Sequence, residues 1–257
     1  MNKILCVFLS VFCLSLTALS QADTDATQNT PATNEVIERE PWGVSRPFSL
    51  HYGSQTLELK STGLIYKSDF TAGFSKRRTY YFYRTPFLNM IKFGMDLTWS
   101  SIGVAKYTDN IEGDKSLLPA GTTISANDNN LFNYVEEDKY HVLLSLFGFG
   151  PMVRVAPFGW VQDENLNKIR VAAYFQYLPT LSGVYFKNNG SNSLMAGYVN
   201  RWAIGANLSI GTFGIGVQKT WGQGSMHRVN IENEFKIYND KEKYLLNNIT
   251  FYIGYDF

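Results

Sequence analysis

Cysteine is almost absent from this chain. Only Cys6 and Cys13 occur in 257 residues, both inside an apolar run near the start. A disulfide framework or a cysteine-ligated metal is therefore excluded from everything that follows. Histidine is scarce too, with three residues at scattered positions (His51, His141, His227), so no spacing suited to metal ligation exists. Charge of one sign is also missing. The 23 Lys and Arg nearly balance the 22 Asp and Glu, for a net charge of +1. No basic excess points to nucleic acid, and no nucleic-acid partner, cofactor or metal is expected. After the first 22 residues there is no continuous apolar run of about 20, the length a membrane-spanning helix needs. If the later chain enters a bilayer, it must do so as a closed barrel, because only helices and closed barrels satisfy every backbone N–H and C=O in lipid.

What the chain does have begins with "MNKILCVFLSVFCLSLTALSQADTDA". Lys3 supplies a basic start, residues 4–16 an apolar run, and Ala18, Ser20 and Ala22 a small-residue cleavage region. This is the layout of a secretory signal peptide, assigned to residues 1–22 with cleavage after Ala22. Cys13 follows Ser-Val-Phe, a poor context for lipidation. Residues 23–40, "DTDATQNTPATNEVIERE", are polar and acidic with little to bury, and read as a flexible leader. From residue 41 to 257 the chain turns aromatic, glycine-rich and β-branched, and reads as one folded domain.

That domain alternates with a period of two. In "NMIKFGMDLTWS", Ile91, Phe93, Met95, Leu97 and Trp99 share one face, and Lys92, Gly94, Asp96, Thr98 and Ser100 the other. The pattern matches the lipid-out, polar-in strand of a membrane barrel, which needs about 9–11 residues. Six such strands are clearest within 89–257, and residues 46–84 can supply two more. The upper half of "YHVLLSLFGFGPMVRVAP" is apolar on both phases and does not fit the scheme. Between the strands, 107–138, 180–193 and 222–243 read as longer loops, while 157–168 and 209–211 read as shorter ones. The longer loops fall at the end away from the final residue, as external loops do in outer-membrane barrels.

The chain closes on "NNITFYIGYDF", with Ile249, Phe251, Ile253, Tyr255 and Phe257 on one phase. This resembles the C-terminal strand of Gram-negative outer-membrane β-barrel proteins. The stretch "RTPFLNMIKFGMDLTWSSIGVAKYT" is also similar to a segment of uncharacterised members of that class. The resemblance implies an exported protein of the Gram-negative outer membrane. It implies that the five residues are the signal read by the barrel-assembly machinery, and that the last strand closes against the first. The fold expected is all-β: a closed antiparallel up-and-down transmembrane barrel of about eight strands, with ten as the alternative.

With these phases, Lys92, Asp96, Arg154, Arg170, Arg201 and Asp256 face the lumen, together with Tyr174, Gln176 and Tyr252. Charges in so narrow an interior must be paired. Trp99, Tyr140, Tyr177, Tyr198, Trp202, Trp221 and Tyr255 face outward and suit the aromatic girdles at a membrane's two interfaces. "GTFGIG" lacks the following helix that a phosphate-binding glycine loop requires. "NDNN" at positions 127–130 offers oxygen ligands but no spaced Glu, and reads as loop. Ser225 and His227 form the nearest nucleophile–base candidate, on an expected external loop with no acid beside them. His51 and His141 have no evident partner. These features favour a non-enzymatic barrel with a structural or surface-interaction role, an unknown ligand at its external loops, and lipid around it. A small channel is the alternative, and a lipid-modifying hydrolase comes third.

Overall fold

The computed structural model describes residues 47–61, 63, 65–83, 85–107, 111–112, 139–161, 166–187, 192–230 and 236–256. Residues 1–22, read as a signal peptide, residues 23–40, read as a leader, positions 127–130, most of 107–138 and Phe257 lie outside the described residues. Eleven strands follow in chain order: β1 (Pro47–Leu59), β2 (Ile65–Lys67), β3 (Phe70–Tyr81), β4 (Ile91–Tyr107), β5 (Ile111–Glu112), β6 (Lys139–Ser145), β7 (Gly148–Val155), β8 (Ile169–Lys187), β9 (Asn192–Ile210), β10 (Phe213–Asn230) and β11 (Lys236–Asp256). Each of β1, β3, β4, β8, β9, β10 and β11 forms one wall strand. β6 and β7 together make another, because both pair with β4 and β8. The barrel therefore has eight strands, all antiparallel, with β2 and β5 outside it as short paired extensions. It closes where β11 pairs with β1 along the whole of β1, from Pro47↔Asp256 to Leu59↔Tyr244. Closure pairs the first and last wall strands with each other.

The period of two in the sequence becomes an inside and an outside. Across the seam the outward residues form level rows. Phe48, Tyr255, Phe213 and Ile210 make one, Leu50, Ile253, Ile215 and Leu208 the next, and Tyr52, Phe251, Val217 and Ala206 a third. Most of these side chains stand exposed; Phe251 is 67% accessible and Ile253 59%. A contiguous apolar belt of this kind has no place on a water-soluble monomer. The inward phase carries the burial: Tyr174, Gln176, Tyr252 and Thr250 are all shielded.

Three readings of the sequence need correction. Residues 180–193 and 222–243 are largely strand: β8 runs to Lys187, β9 starts at Asn192, β10 runs to Asn230 and β11 starts at Lys236. Their alternation was hidden because polar residues occupy both faces there. The stretch around residue 146 is apolar on both phases because the phase itself changes. Lys139, His141, Leu143 and Ser145 point inward on β6, Gly148, Gly150, Met152 and Arg154 on β7, and the break falls at Leu146 and Phe147. The inner face is also not polar throughout. Toward the end away from Asp256 it is filled by apolar side chains, among them Leu57, Leu59, Leu143, Met195, Met226 and Leu246.

The connections at the Asp256 end are compact. β9 and β10 join through Gly211 and Thr212, with Gly211 at φ +60°, a conformation glycine adopts without penalty. β3 and β4 join through a turn in which Leu88 and Asn89 both take positive φ, 50° and 57°. Among the described residues no helix is long and apolar enough to cross a membrane, which has no bearing on crossing by strands.

Candidate functional site in the barrel interior

Two charged side chains meet inside the barrel. Arg77, on β3, sends its Nη1 to Asp96 Oδ2 on the neighbouring β4, 3.4 Å away. Thr79 Oγ1 donates to Asp96 Oδ1 at 3.2 Å, and Gln176 Nε2 donates to Asp96 Oδ2 at 3.0 Å from β8. Thr98 Oγ1 then donates to Gln176 Oε1 at 3.1 Å. One carboxylate on β4 thus gathers three donors from two other strands, which is what a buried ion pair needs if its attraction is to offset desolvation. The other side of the Arg77 guanidinium lies over two aromatic faces, 4.7 Å from the Tyr174 ring centre and 5.2 Å from that of Tyr252. Cation–π contact satisfies the face of the cation that has no carboxylate.

The tyrosines reach the axis because glycines make room for them. A Cβ at Gly205 would stand 2.4 Å from the Tyr174 ring, and one at Gly216 would stand 2.3 Å from that of Tyr252. Tyr174 Oη donates to Gln218 Oε1 at 2.9 Å, which ties β8 to β10 across the interior. Arg201 Nη2 donates to Thr220 Oγ1 at 2.9 Å. The remaining void between His51, Arg77, Arg201, Gln218 and Asn248 is about 40 Å³, room for one or a few waters.

Nearer the Asp256 end, Lys92 Nζ lies 4.9 Å from the Tyr81 ring centre and the Arg154 guanidinium 5.8 Å from it. Arg170 donates to the carbonyls of Ile169 and Asn167. Toward the opposite end, Gln55, Tyr107, His141 and Ser182 form a buried chain. Gln55 Nε2 lies 2.8 Å from His141 Nδ1, and His141 Nε2 lies 2.7 Å from Ser182 Oγ. His51 Nε2 meets Ser75 Oγ at 2.8 Å. The two histidines that lacked an evident partner in the sequence each have one here.

Lys92, Asp96, Arg154, Arg170 and Arg201 are all buried on the inner face. Asp96 gathers the central cluster; Lys92 and Arg154 lie against the Tyr81 ring. Asp256 ends β11, and its side chain lies outside the described part. Trp99, Tyr198, Trp202 and Tyr255 are exposed, and Tyr140, Tyr177 and Trp221 are half-exposed in the outward phase. Ile249, Phe251 and Ile253 share the outward phase of β11 with Tyr255. Arg77, the centre of the cluster, escaped the sequence reading. In "RRTYYFY" both phases carry bulky or charged residues, and the β3–β4 register shifts between Lys76 and Arg77. No alternation survives there to say which arginine turns inward.

Ser225 and His227 are not on a loop. Both lie in β10, two positions apart on one strand, which separates their Cα atoms by about 6.6 Å. No hydrogen bond joins them among the described residues. The His141–Ser182 pair has bonding distance but no access, since His141 is 0% and Ser182 4% exposed. No group of three potential metal-ligating residues occurs among the described residues.

No protein-family model matches the chain, and no curated protein sequence matches it. Solved structures do resemble it in fold. Ail, the attachment invasion locus protein of Yersinia pestis, matches at 13% identity with a TM-score of 0.42 over 84% of this chain and 99% of that one. The outer membrane protease OmpT of Escherichia coli matches at 8% identity with a TM-score of 0.41 over 88% and 100%. The transport unit of the autotransporter AIDA-I of Escherichia coli matches at 10% identity with a TM-score of 0.29 over 90% and 94%. These neighbours are Gram-negative outer-membrane β-barrels, and at such identities the likeness is one of fold and carries no activity across.

Proposed function

We propose that this chain is a non-enzymatic integral barrel of the Gram-negative outer membrane, closed to flow and acting through its surface. One observation carries the reading. The middle of the lumen is occupied by Arg77, Asp96, Gln176, Tyr174 and Tyr252, and the void beside Arg77 and Gln176, lined also by His51, Arg201 and Gln218, is about 40 Å³. A conducting pore needs a continuous water path, and an eight-stranded barrel is about as wide as its own side chains can fill. The apolar outward belt supplies the lipid contact, and the aromatic residues at its margins act as the girdles. Asp256 and the compact turns face the periplasm in this reading. Ile249, Phe251, Ile253, Tyr255 and Phe257 serve as the signal for barrel assembly. The longest connection, 107–138, and the β8–β9 and β10–β11 hairpins face outward, where a partner can meet them. Reconstitution into planar bilayers tests it: the wild-type protein gives no conductance steps, and steady steps overturn the closed-lumen reading.

A small anion-preferring channel is the second reading. Its support is the excess of buried bases, with Arg77, Lys92, Lys139, Arg154, Arg170 and Arg201 against Asp96 and Glu242. The same recording decides it through the reversal potential in a salt gradient. The hydrolase reading draws no support from a Ser225 and His227 set two positions apart on a strand without a fixed acid.

A further inference from the structure

The outer wall formed by β9, β10 and β11 changes character along its length. Above the apolar rows comes the row Ile249, Lys219 and Ile204, and above that Asn247, Trp221 and Trp202. Next is Leu245, Gln223 and Asn200, and then Lys243, Ser225 and Tyr198. Lys241 stands opposite His227 one step further. On the neighbouring β1 edge, Lys60 bonds through its backbone N–H to the Lys243 carbonyl at 2.9 Å, which sets a third lysine beside the other two. Lys60, Lys241 and Lys243 are all exposed.

Two concavities occupy this one wall. The upper, about 720 Å³, has Trp202, Trp221 and Tyr198 at one side and Lys241 and Lys243 at the other. The lower, about 640 Å³, lies among the apolar rows, walled by Leu208, Val217, Phe251 and Ile253. Its depth comes from small outward residues, because Ala206 pairs with Ala173 on β8 where its neighbours in the row are bulky. The strands thus present a cationic, hydrogen-bonding hollow directly above an apolar trough, with indole rings at the boundary. Anionic headgroup, interface and acyl chain are met in that order along one wall.

We propose that this wall is a binding site for a phosphorylated lipid of the outer leaflet. Its phosphates engage Lys60, Lys241 and Lys243, its polar headgroup lies against Asn200, Gln223 and Trp221, and an acyl chain fills the trough over Ala206. The proposal rests on the membrane reading above, since only a bilayer presents such a lipid to this face. Charge complementarity selects lipid over protein here, because the basic hollow is continuous with the belt that lipid chains already cover.

The test uses the full barrel in phosphatidylcholine nanodiscs doped with lipid A carrying two phosphates, or with the same lipid stripped of both. Lipid retained on the protein is counted by native mass spectrometry. Wild type should hold the phosphorylated form preferentially, and the K60Q/K241Q/K243Q variant should lose that preference by about a hundredfold, at roughly tenfold or less for each lysine near an anionic surface. Equal retention of both lipids, or a variant that behaves as wild type, overturns the site. Displacement of the lipid by an equal concentration of inorganic phosphate overturns the lipid assignment. Heat-modifiability of the same samples separates the two levels of failure. A variant that still shifts on boiling has kept its barrel, so loss of preference there belongs to the site. A wild type that never shifts sinks the membrane reading itself.

Discussion

At the scale of single residues, the barrel is held open or shut by how it satisfies Arg77. Its guanidinium is enclosed on every side, by Asp96 at 3.4 Å and by two tyrosine faces. Removing the carboxylate leaves a buried cation without its counter-charge, a change that costs about 3–5 kcal/mol in comparable pairs. Asp96→Ala should therefore lower the temperature at which the folded barrel melts on a gel more than Asp96→Asn, which keeps one acceptor oxygen for Gln176 and Arg77 and turns its amide nitrogen to donate to the Thr79 hydroxyl. Gly205 and Tyr174 make a second, independent test. Gly205→Ala drives a Cβ into the Tyr174 ring, and overpacking of this kind costs about 1–3 kcal/mol. Gly205→Ala combined with Tyr174→Leu should cost less than the sum of the single changes, and a double-mutant cycle of melting midpoints reads that coupling. A strictly additive cycle would mean that the two residues do not meet. Lys92, Asp96, Arg154, Arg170 and Arg201 could be assigned a face from sequence because their strands alternate cleanly. Arg77 could not, because a register shift and aromatic neighbours on both phases erased the period around it.

At the scale of elements, the decisive contact is the seam between β1 and β11. Gly53 sits in it with no room for a side chain: a Cβ would lie 2.0 Å from the Ile249 carbonyl oxygen, which belongs to the backbone and cannot swing aside. Gly53→Ala should weaken closure and reduce the heat-resistant band. Gly183→Ala, where the nearest atom is 3.8 Å away, should leave that band unchanged. Equal behaviour of the two variants would refute the seam argument. Six of the eight strands were legible because strands of a membrane barrel must show apolar residues on one phase over about ten positions; the count of eight and the closing pair came from the resemblance of the last strand to its class. The upper halves of β8, β9, β10 and β11 were not. Beyond the apolar belt both faces carry polar residues, so those segments read as loops although their backbones continue to pair.

At the scale of the whole molecule, the wall strands are longer than a membrane requires. β8 to β11 run to 18–21 residues, against about 9–11 for a crossing. The excess lies at the end away from Asp256, over an interior where apolar side chains pack around the Gln55–His141–Ser182 chain. Such a barrel carries paired strands beyond the length a crossing needs while its middle stays filled, which suits recognition at a surface better than passage through a pore. Emptying the middle should reverse this. Tyr174→Ala with Tyr252→Ala removes the two rings that lie against Arg77, and the double variant should give conductance steps where the wild type gives none. If the double variant is silent, the tyrosines are not what closes the lumen.

The central claim is a closed barrel seated in the outer membrane, and heat-modifiability of the membrane fraction on a denaturing gel tests it most directly. A barrel resists detergent until boiled, because unzipping any one strand breaks two ladders of backbone hydrogen bonds at once. The account predicts that the wild-type protein partitions with the outer membrane and changes mobility on boiling. A variant lacking Phe257 should show that shift reduced or lost. A protein found in the soluble periplasmic fraction, with the same mobility before and after boiling, would contradict the account.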